Sequence, residues 1–150
     1  MAIVDSLDVR LIKLLQEDAG KSSDVLAKQL KVSAATIRRR IRRLLKSNVI
    51  RIGAVVDPGK VGLPLAAVIA IDVAHDKLDS AIQKLTNRPE VIWVSTTTGR
   101  FDIILLARFS STDGLSKFVQ SEMAKIEGVR DSETFVCLHM ESKRTHYSPL

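Results

Sequence analysis

Five arginines lie within six consecutive positions of this 150-residue chain, and their density indicates a specific chemical task. They are Arg38, Arg39, Arg40, Arg42 and Arg43, in the stretch VSAATIRRRIRRLLKSNVIR. A guanidinium group donates planar N–H bonds that match the oxygens of a phosphate or the edge of a guanine. Between Asp24 and Asp57 there are nine Lys and Arg residues and no acidic residue. Because a solubilising helix face normally mixes both signs of charge, this pattern predicts a surface that binds an external polyanion.

The arginines are predicted to lie on one helix, from about residue 34 to residue 47, with an apolar side opposite to them. Three apolar residues form that side at helical spacing: Ile37, Ile41 and Leu44. Ser33 is a favourable N-cap, and Asn48 suits a left-handed position after the last helical residue. The helix is therefore expected to bury one side in a core and to present the cations to solvent.

Two shorter helical patterns precede this helix, in DSLDVRLIKLLQEDAG and SSDVLAKQL, and only the residues KVS separate the second pattern from the third. Two amphipathic helices joined by a short turn form the helix-turn-helix motif, whose second helix lies in the major groove of DNA. The deep groove of A-form RNA excludes a helix, so double-stranded DNA is the expected polyanion.

In such a motif the first turns of the second helix contact base edges, and its other cations hold phosphates. The residues nominated for base edges are Ser33, Ala35, Thr36 and Arg39. Those nominated for phosphates are Arg40, Arg42, Arg43 and Lys46, with Arg38 at the border of the same cationic face. The alternative for all of them is a solvated face that only keeps the helix in solution.

The positive charge is confined to the first part of the chain. Residues 1–60 contain 13 Lys and Arg against 6 Asp and Glu, whereas residues 61–150 contain 10 against 11. The Pro- and Gly-rich stretch DPGKVGLP separates the two parts. We therefore predict a DNA-binding domain over residues 1–52, with VIRIGAVVD as a strand pair or wing, a hairpin linker over 53–64, and a regulatory and oligomerisation domain over 65–150.

The second domain has the predicted element order β-α-β-β-α-β. Strands are expected in LAAVIAIDVA, VIWVSTTT, DIILLARFS and DSETFVCLHME, and helices in DKLDSAIQKLTNRP and STDGLSKFVQSEMAKIEGV. This order is ferredoxin-like, so the expected fold class is α+β, with a winged helix-turn-helix domain followed by a ferredoxin-like domain. Two helices cover one face of such a sheet, and the apolar residues of the other face predict a second subunit there.

No catalytic or metal-binding constellation is found in the sequence. His75, His139 and His146 lie far apart, and the single cysteine, Cys137, occupies a strand-like run. There is no Gly-rich phosphate loop, nucleophile elbow or HExxH motif, so we expect neither a cofactor nor an enzyme active site. The chain has no signal-peptide pattern and no apolar run of bilayer length, which predicts a cytoplasmic protein without membrane contact.

The whole chain resembles the Lrp/AsnC, or feast/famine, family of prokaryotic transcription regulators. The resemblance is carried by LDVRLIKLLQEDAGKSSDVLAKQLKVSAATIRRRIRRLLKSNVI, by the linking hairpin RIGAVVDPGKVG, and by the turn in TTTGRFDIILLARF. It implies dimers formed through paired sheets, further assembly into tetramers or octamers, and binding of operator-like DNA. It also implies an amino-acid effector that binds between dimers, near the turn.

Carried onto this sequence, the resemblance nominates an effector site at Thr98, Gly99, Arg100 and Asp102. Gly99 and Asp102 match motif positions, where a glycine lets the backbone approach a ligand and a carboxylate accepts bonds from an α-ammonium group. Arg100 departs from the acidic or polar residue that many members have, and its cation suits a ligand carboxylate. The alternative for Gly99 and Asp102 is a tight turn with a capped end.

Two other functions are compatible with the same architecture. Decarboxylases of an alternative haem pathway resemble it, and they would bind a tetrapyrrole. A non-specific nucleoid-associated protein would bind DNA without a preferred site. The arginine-rich helix favours a sequence-specific regulator over the decarboxylase.

Overall fold

The computed structural model describes residues 4–140, which divide into two compact units, 4–55 and 56–140. The division falls at Val55, inside the stretch predicted as a linker. None of the helices in the described part of the chain is both long and apolar enough to cross a membrane.

The first unit consists of three helices, as the apolar spacing predicts. They are α1 (Ser6–Glu17), α2 (Ser23–Leu30) and α3 (Ala34–Lys46). A side-chain oxygen caps each helix, from Asp5 for α1, Ser22 for α2 and Ser33 for α3. All three helices contribute apolar residues to the core, among them Leu11, Ile12, Leu26, Leu30, Ile37 and Leu44.

Residues with positive φ follow the second and third helices. Lys31 has a φ of 56° and Asn48 a φ of 55°, both in the left-handed region. After α3 the N–H of Val49 donates to the carbonyl of Leu44 at 3.0 Å. The N–H of Asn48 donates to the carbonyl of Leu45 at 3.1 Å, which completes a Schellman motif. The predicted left-handed role of Asn48 is therefore confirmed.

The second unit is a four-stranded antiparallel sheet with helices packed on one face. The strands are β1 (Leu65–Val73), β2 (Val91–Thr96), β3 (Ile103–Phe109) and β4 (Val129–Cys137); the helices are α4 (Leu78–Thr86) and α5 (Thr112–Lys117), and a wider π-helical turn, Phe118–Met123, continues α5. The strand order β2-β3-β1-β4 is the ferredoxin-like topology, which confirms the predicted fold. Residues buried between sheet and helices include Ile69, Ile71, Leu85, Ile103, Leu105, Phe118 and Met123.

The other face of the sheet carries an apolar row that crosses all four strands. The register places Val68 of β1 opposite both Leu106 of β3 and Phe135 of β4, and Trp93 of β2 opposite Leu106. Directly opposed residues of antiparallel strands point to the same face. Trp93 is 44% exposed and Phe135 is 50% exposed. We call this row the open face, because its aromatic ends lie uncovered in the single chain.

The stretch VIRIGAVVD does not form the strand pair that the sequence predicts. Residues 50–57 have no strand partner within the described chain, and a short 3-10 turn, Pro58–Val61, follows them. Ile52, Val55 and Val56 are each more than half exposed. A strand is defined by backbone bonds to a neighbour, and this segment has no such neighbour among the described residues.

Replacing Lys31 with Gly is predicted to stabilise the first unit, because glycine enters the left-handed region without the steric cost of a Cβ. We expect the free energy of unfolding to rise by about 1 kcal/mol, measured by urea titration with far-ultraviolet circular dichroism. Lys28→Gly is the matched control, since Lys28 lies inside α2 and its replacement should lower the free energy by about 1 kcal/mol. Destabilisation by both substitutions would contradict the prediction.

Candidate nucleic-acid interface

Helix α3 brings all nine nominated DNA-binding residues together, but it does not give them the same environment. The exposed ones are Ser33, Ala35, Arg38, Arg39, Arg42, Arg43 and Lys46. Thr36 and Arg40 are half-buried at one border of the exposed face. Ile37 and Leu44 are buried on the opposite side of the helix, which holds the cationic face outward.

The start of α3 is fixed by its cap. The Ser33 hydroxyl oxygen accepts the N–H of Thr36 at 3.1 Å and lies 2.9 Å from the Thr36 hydroxyl. This arrangement satisfies one of the free N–H groups at the helix start. It also commits the Ser33 oxygen to the protein, so that Ala35, Thr36 and Arg39 are the more available side chains at this end.

Two of the arginines are paired with carboxylates near the start of α1. Arg40 Nη1 donates to Asp5 Oδ2 at 2.6 Å and to Asp8 Oδ1 at 2.8 Å. Arg43 Nη2 donates to Asp8 Oδ2. We call Asp5, Asp8, Arg40 and Arg43 the carboxylate clamp. The predicted phosphate contacts of Arg40 and Arg43 stay a prediction, and both side chains already bind carboxylates of the protein.

The clamp shifts the pKa values of Asp5 and Arg40. The hydrogen bond from Arg40 holds the pKa of Asp5 below its ordinary value, and the backbone N–H of Asp8 acts in the same direction. The bonds to Asp5 and then Asp8 raise the pKa of Arg40. The stretch without acids in the sequence is thus not free of acids in space, because α1 supplies them.

The sequence predictions assigned no role to Asp8, although its spacing carries a signal. Asp8 precedes Leu11, Ile12 and Leu15 by three, four and seven positions, and all four residues lie on the buried side of α1. A carboxylate at a core position needs a cation or several donors close by. The arginine-rich helix was the evident source of that cation.

The remaining cations of α3 have no carboxylate partner among residues 4–140. Arg38, Arg39, Arg42 and Lys46 make no ion pair with any residue of the described chain. Arg38 and Arg42 lie one helical turn apart, an arrangement of like charges that destabilises an isolated helix. An external anion relieves that repulsion, which makes this part of α3 the candidate phosphate-binding surface.

The turn between β2 and β3 holds the residues nominated for an effector. Thr98, Gly99 and Arg100 are exposed. Gly99 has a φ of 125°, a conformation that side-chain-bearing residues rarely adopt. The guanidinium carbon of Arg100 lies 5.0 Å from the centre of the Phe101 ring, at cation–π distance. Three nominated residues thus lie together at the surface.

The fourth nominated residue, Asp102, has a structural contact. Its Oδ2 accepts the N–H of Val73 at 2.8 Å, and its own N–H donates to the carbonyl of Ile71 at 3.0 Å. The bond from Val73 holds the pKa of Asp102 below its ordinary value. The backbone pairing of β1 with β3 ends at Ile71, so the Asp102 side chain extends the contact between these segments to Val73. This contact is the one expected of a turn residue with a capped end.

The histidines do not assemble a metal centre in the described chain. Among residues 4–140 no three His, Cys, Asp or Glu side chains are grouped as metal ligands would be. The third histidine, His146, lies outside the described residues.

Comparison with known proteins yields two family models that together match most of the chain. A winged helix-turn-helix DNA-binding model matches residues 4–51, and the Lrp/AsnC ligand-binding domain matches residues 66–147. A curated relative from Pyrococcus abyssi, an uncharacterised HTH-type transcriptional regulator, is 34% identical over 134 residues, which cover 89% of this chain and 85% of the relative.

Solved structures show the same architecture. Escherichia coli AsnC has a TM-score of 0.83 at 26% identity, with 95% of this chain and 99% of that chain covered. A transcriptional regulator from Neisseria meningitidis in complex with L-Met has a TM-score of 0.86 at 24% identity, with 99% and 96% covered. The resemblance inferred from the sequence is therefore confirmed over both units. This chain belongs to the Lrp/AsnC family of helix-turn-helix transcription regulators.

Proposed function

We propose that α3 is the recognition helix of this DNA-binding regulator and that Ala35, Thr36 and Arg39 read base edges. The observation that carries this proposal is that Arg39 is exposed near the capped start of α3 and has no ion-pair partner within residues 4–140. A bidentate guanidinium matches the O6 and N7 acceptors of guanine, and a threonine methyl or an alanine suits the methyl group of thymine. Ser33 contributes indirectly, by capping the N-terminus of α3.

Phosphate contacts fall to Arg38, Arg42 and Lys46. All three are exposed, and none is held by a carboxylate of the described chain. Arg38 and Arg42 are one turn apart and face away from the core, so both can approach the DNA backbone on one side of the helix. These contacts position α3 without reading sequence.

The open face is the proposed dimer interface. Trp93 and Phe135 are aromatic, half exposed and joined by Val68 and Leu106 into one apolar row. Burying this row against a second copy removes apolar surface from water. A twofold dimer also presents two recognition helices, which suits half-sites about one helical turn of DNA apart. Tetramers or octamers remain a prediction from the family.

The turn between β2 and β3 is the proposed effector site, and an amino acid is the proposed effector. A Neisseria meningitidis regulator of the same fold forms a complex with L-Met. In this chain the exposed Arg100 supplies a cation for the ligand carboxylate, and Thr98 and Gly99 supply backbone groups. Asp102 anchors the turn through Val73. A cytoplasmic location agrees with a role on DNA.

Arg39→Ala is predicted to weaken binding to the preferred site by roughly 10- to 100-fold and to relax selectivity, because it removes a base-edge contact worth about 1–3 kcal/mol. Fragmented genomic DNA retained by the full-length protein at physiological salt is sequenced to define the site. Fluorescence anisotropy then compares that site with a scrambled duplex.

Arg10→Ala is the charge-matched control, since Arg10 is exposed on α1. It should leave selectivity unchanged. An Arg39→Ala protein with wild-type affinity and selectivity would refute the base-reading role. Retention of all fragments equally by the wild-type protein would instead favour the nucleoid alternative. No retention, with an absorbance shift on adding a tetrapyrrole, would favour the decarboxylase.

Phe135→Asp is predicted to convert the assembly into a folded monomer, because it places a charge on the open face. Light scattering coupled to gel filtration should then report a mass near the 16.6 kDa of one chain. Val25→Asp is the control, since Val25 is a similarly exposed apolar residue, at 44% against 50% for Phe135, but lies on α2. An unchanged mass for Phe135→Asp would place the interface elsewhere.

Asp102→Asn is predicted to lower the stability of the protein, whereas Arg100→Ala is predicted to weaken effector binding alone. Asp102→Asn should lower the melting temperature at neutral pH, since it weakens the bond from Val73. Because the pKa of Asp102 is lowered in the folded protein, its contribution is complete above about pH 4 and is lost as the pH falls through the lowered value. Arg100→Ala should weaken amino-acid binding in calorimetric titrations and leave the melting temperature unchanged.

Glu133→Gln serves as the stability control, because Glu133 is an exposed carboxylate of β4. A melting-temperature difference for Asp102→Asn that does not shrink as the pH is lowered below about 4 would contradict the assigned contact. Equal amino-acid affinity of the wild-type and Arg100→Ala proteins would contradict the effector role of Arg100.

A further inference from the structure

We infer that Asp8 determines the DNA specificity of this regulator by holding Arg40 and Arg43 of α3 away from DNA phosphates. The inference rests on the proposed role of α3 as the recognition helix. It assigns a function in DNA selection to a residue that cannot itself touch DNA, because its side chain is completely buried. Asp8 is therefore a positioning residue.

The burial of Asp8 makes its partners obligatory. Its carboxylate lies on the apolar side of α1 and accepts bonds from Arg40 and Arg43 and, at 3.2 Å, from the N–H of Asp5. A buried carboxylate that loses its cations is strongly destabilising, because water cannot replace them. DNA phosphates would thus have to compete for these arginines with an anion that has no other cationic partner among the described residues.

Arg40 is the member most firmly withdrawn from solvent. Only 18% of its side chain is exposed, and a single nitrogen, Nη1, reaches both Asp5 and Asp8. Its Nε is buried without a hydrogen-bond partner in the described chain. Among the described residues only Asp5 and Asp8 bind the Arg40 guanidinium, so these carboxylates fix its position.

The pairing with Asp8 controls whether the Arg43 side chain can contact a DNA phosphate. Arg43 is 52% exposed, and its one described ion pair is with Asp8. It follows Arg39 by four positions, so the two side chains are neighbours on the helix surface. If Asp8 released Arg43, its guanidinium would lie beside the proposed base-reading residue, within reach of the phosphate backbone.

The consequence for DNA binding follows from counterion release. Each added phosphate contact steepens the salt dependence of binding by about 0.9 in log–log slope and strengthens binding to every sequence alike. At 0.1 M salt one such contact corresponds to roughly eightfold tighter binding, relative to a 1 M reference. By withholding Arg40 and Arg43, Asp8 lowers non-specific affinity and leaves the base contacts of α3 to dominate selection.

The test compares Asp8→Asn with the wild-type full-length protein on the retained genomic site and on a scrambled duplex, at several salt concentrations. Asparagine keeps the size of the side chain and an acceptor for the Asp5 N–H, but it removes the charge that holds Arg43. We expect a slope steeper by about 0.9 and roughly eightfold tighter binding to scrambled DNA at 0.1 M salt. The ratio of specific to non-specific affinity should fall.

A matched pair of arginines keeps the test decisive if Asp8→Asn does not fold. Arg42→Gln should reduce the wild-type slope by about 0.9, whereas Arg43→Gln should reduce it by less than half as much, because Arg43 is already paired. If Asp8→Asn folds, adding Arg43→Gln to it should abolish both the steeper salt dependence and the tighter binding to scrambled DNA. A merely structural role for Asp8 would lower affinity for both duplexes and leave the slope unchanged.

Equal slope losses for Arg42→Gln and Arg43→Gln would overturn the inference, as would a folded Asp8→Asn protein with the wild-type slope. Failure of the proposed function has a different signature, in which the wild-type protein does not bind DNA or Arg39→Ala has no effect. The two failures are therefore distinguished by variants at different positions.

Discussion

The buried carboxylate of Asp8 is the constraint around which the DNA-binding unit is arranged. Apolar residues surround it on α1, and the energy of a charge in such a place is tolerable only when cations with good geometry approach it. Arg40 and Arg43 meet that need, and both belong to α3. The same bonds therefore tie α3 to α1 and fix the rotation of α3 about its axis, together with buried Ile37 and Leu44. Arg38, Arg39 and Arg42 are left outward as a result.

The second unit uses a carboxylate in a related way. Asp102 accepts the N–H of Val73 at the point where the backbone pairing of β1 and β3 ends. That bond anchors the turn, while Gly99 and Arg100 remain at the surface. In both units a carboxylate is engaged by groups of the protein itself, and Asp102 is so engaged although the sequence nominated it for an effector. The groups left for external partners are cations and backbone amides.

These two arrangements divide the work of a transcription regulator. The first unit concentrates cations without a carboxylate partner in the described chain on one helix face, which is the proposed surface for DNA phosphates. The second unit carries the apolar sheet face proposed for a second copy and the exposed turn proposed for a small ligand. Helices cover only one face of the sheet, so the apolar residues of the other face are left in contact with water. Burying them is favourable, which is the physical reason for expecting assembly.

The sequence alone determined the elements and their order. Periodic apolar residues predicted α1 to α3, Asn48 predicted the end of α3, and the β-α-β-β-α-β pattern predicted the ferredoxin-like sheet. These features depend on neighbours within a few positions, so they can be predicted from the sequence. The tertiary structure decided which arginines are free. Arg40 and Arg43 look the same as Arg38 and Arg42 in the sequence, and only the approach of α1, more than 30 positions earlier, separates them. It also decided that residues 50–57 form no strand, because strand formation requires a partner that the described chain does not supply.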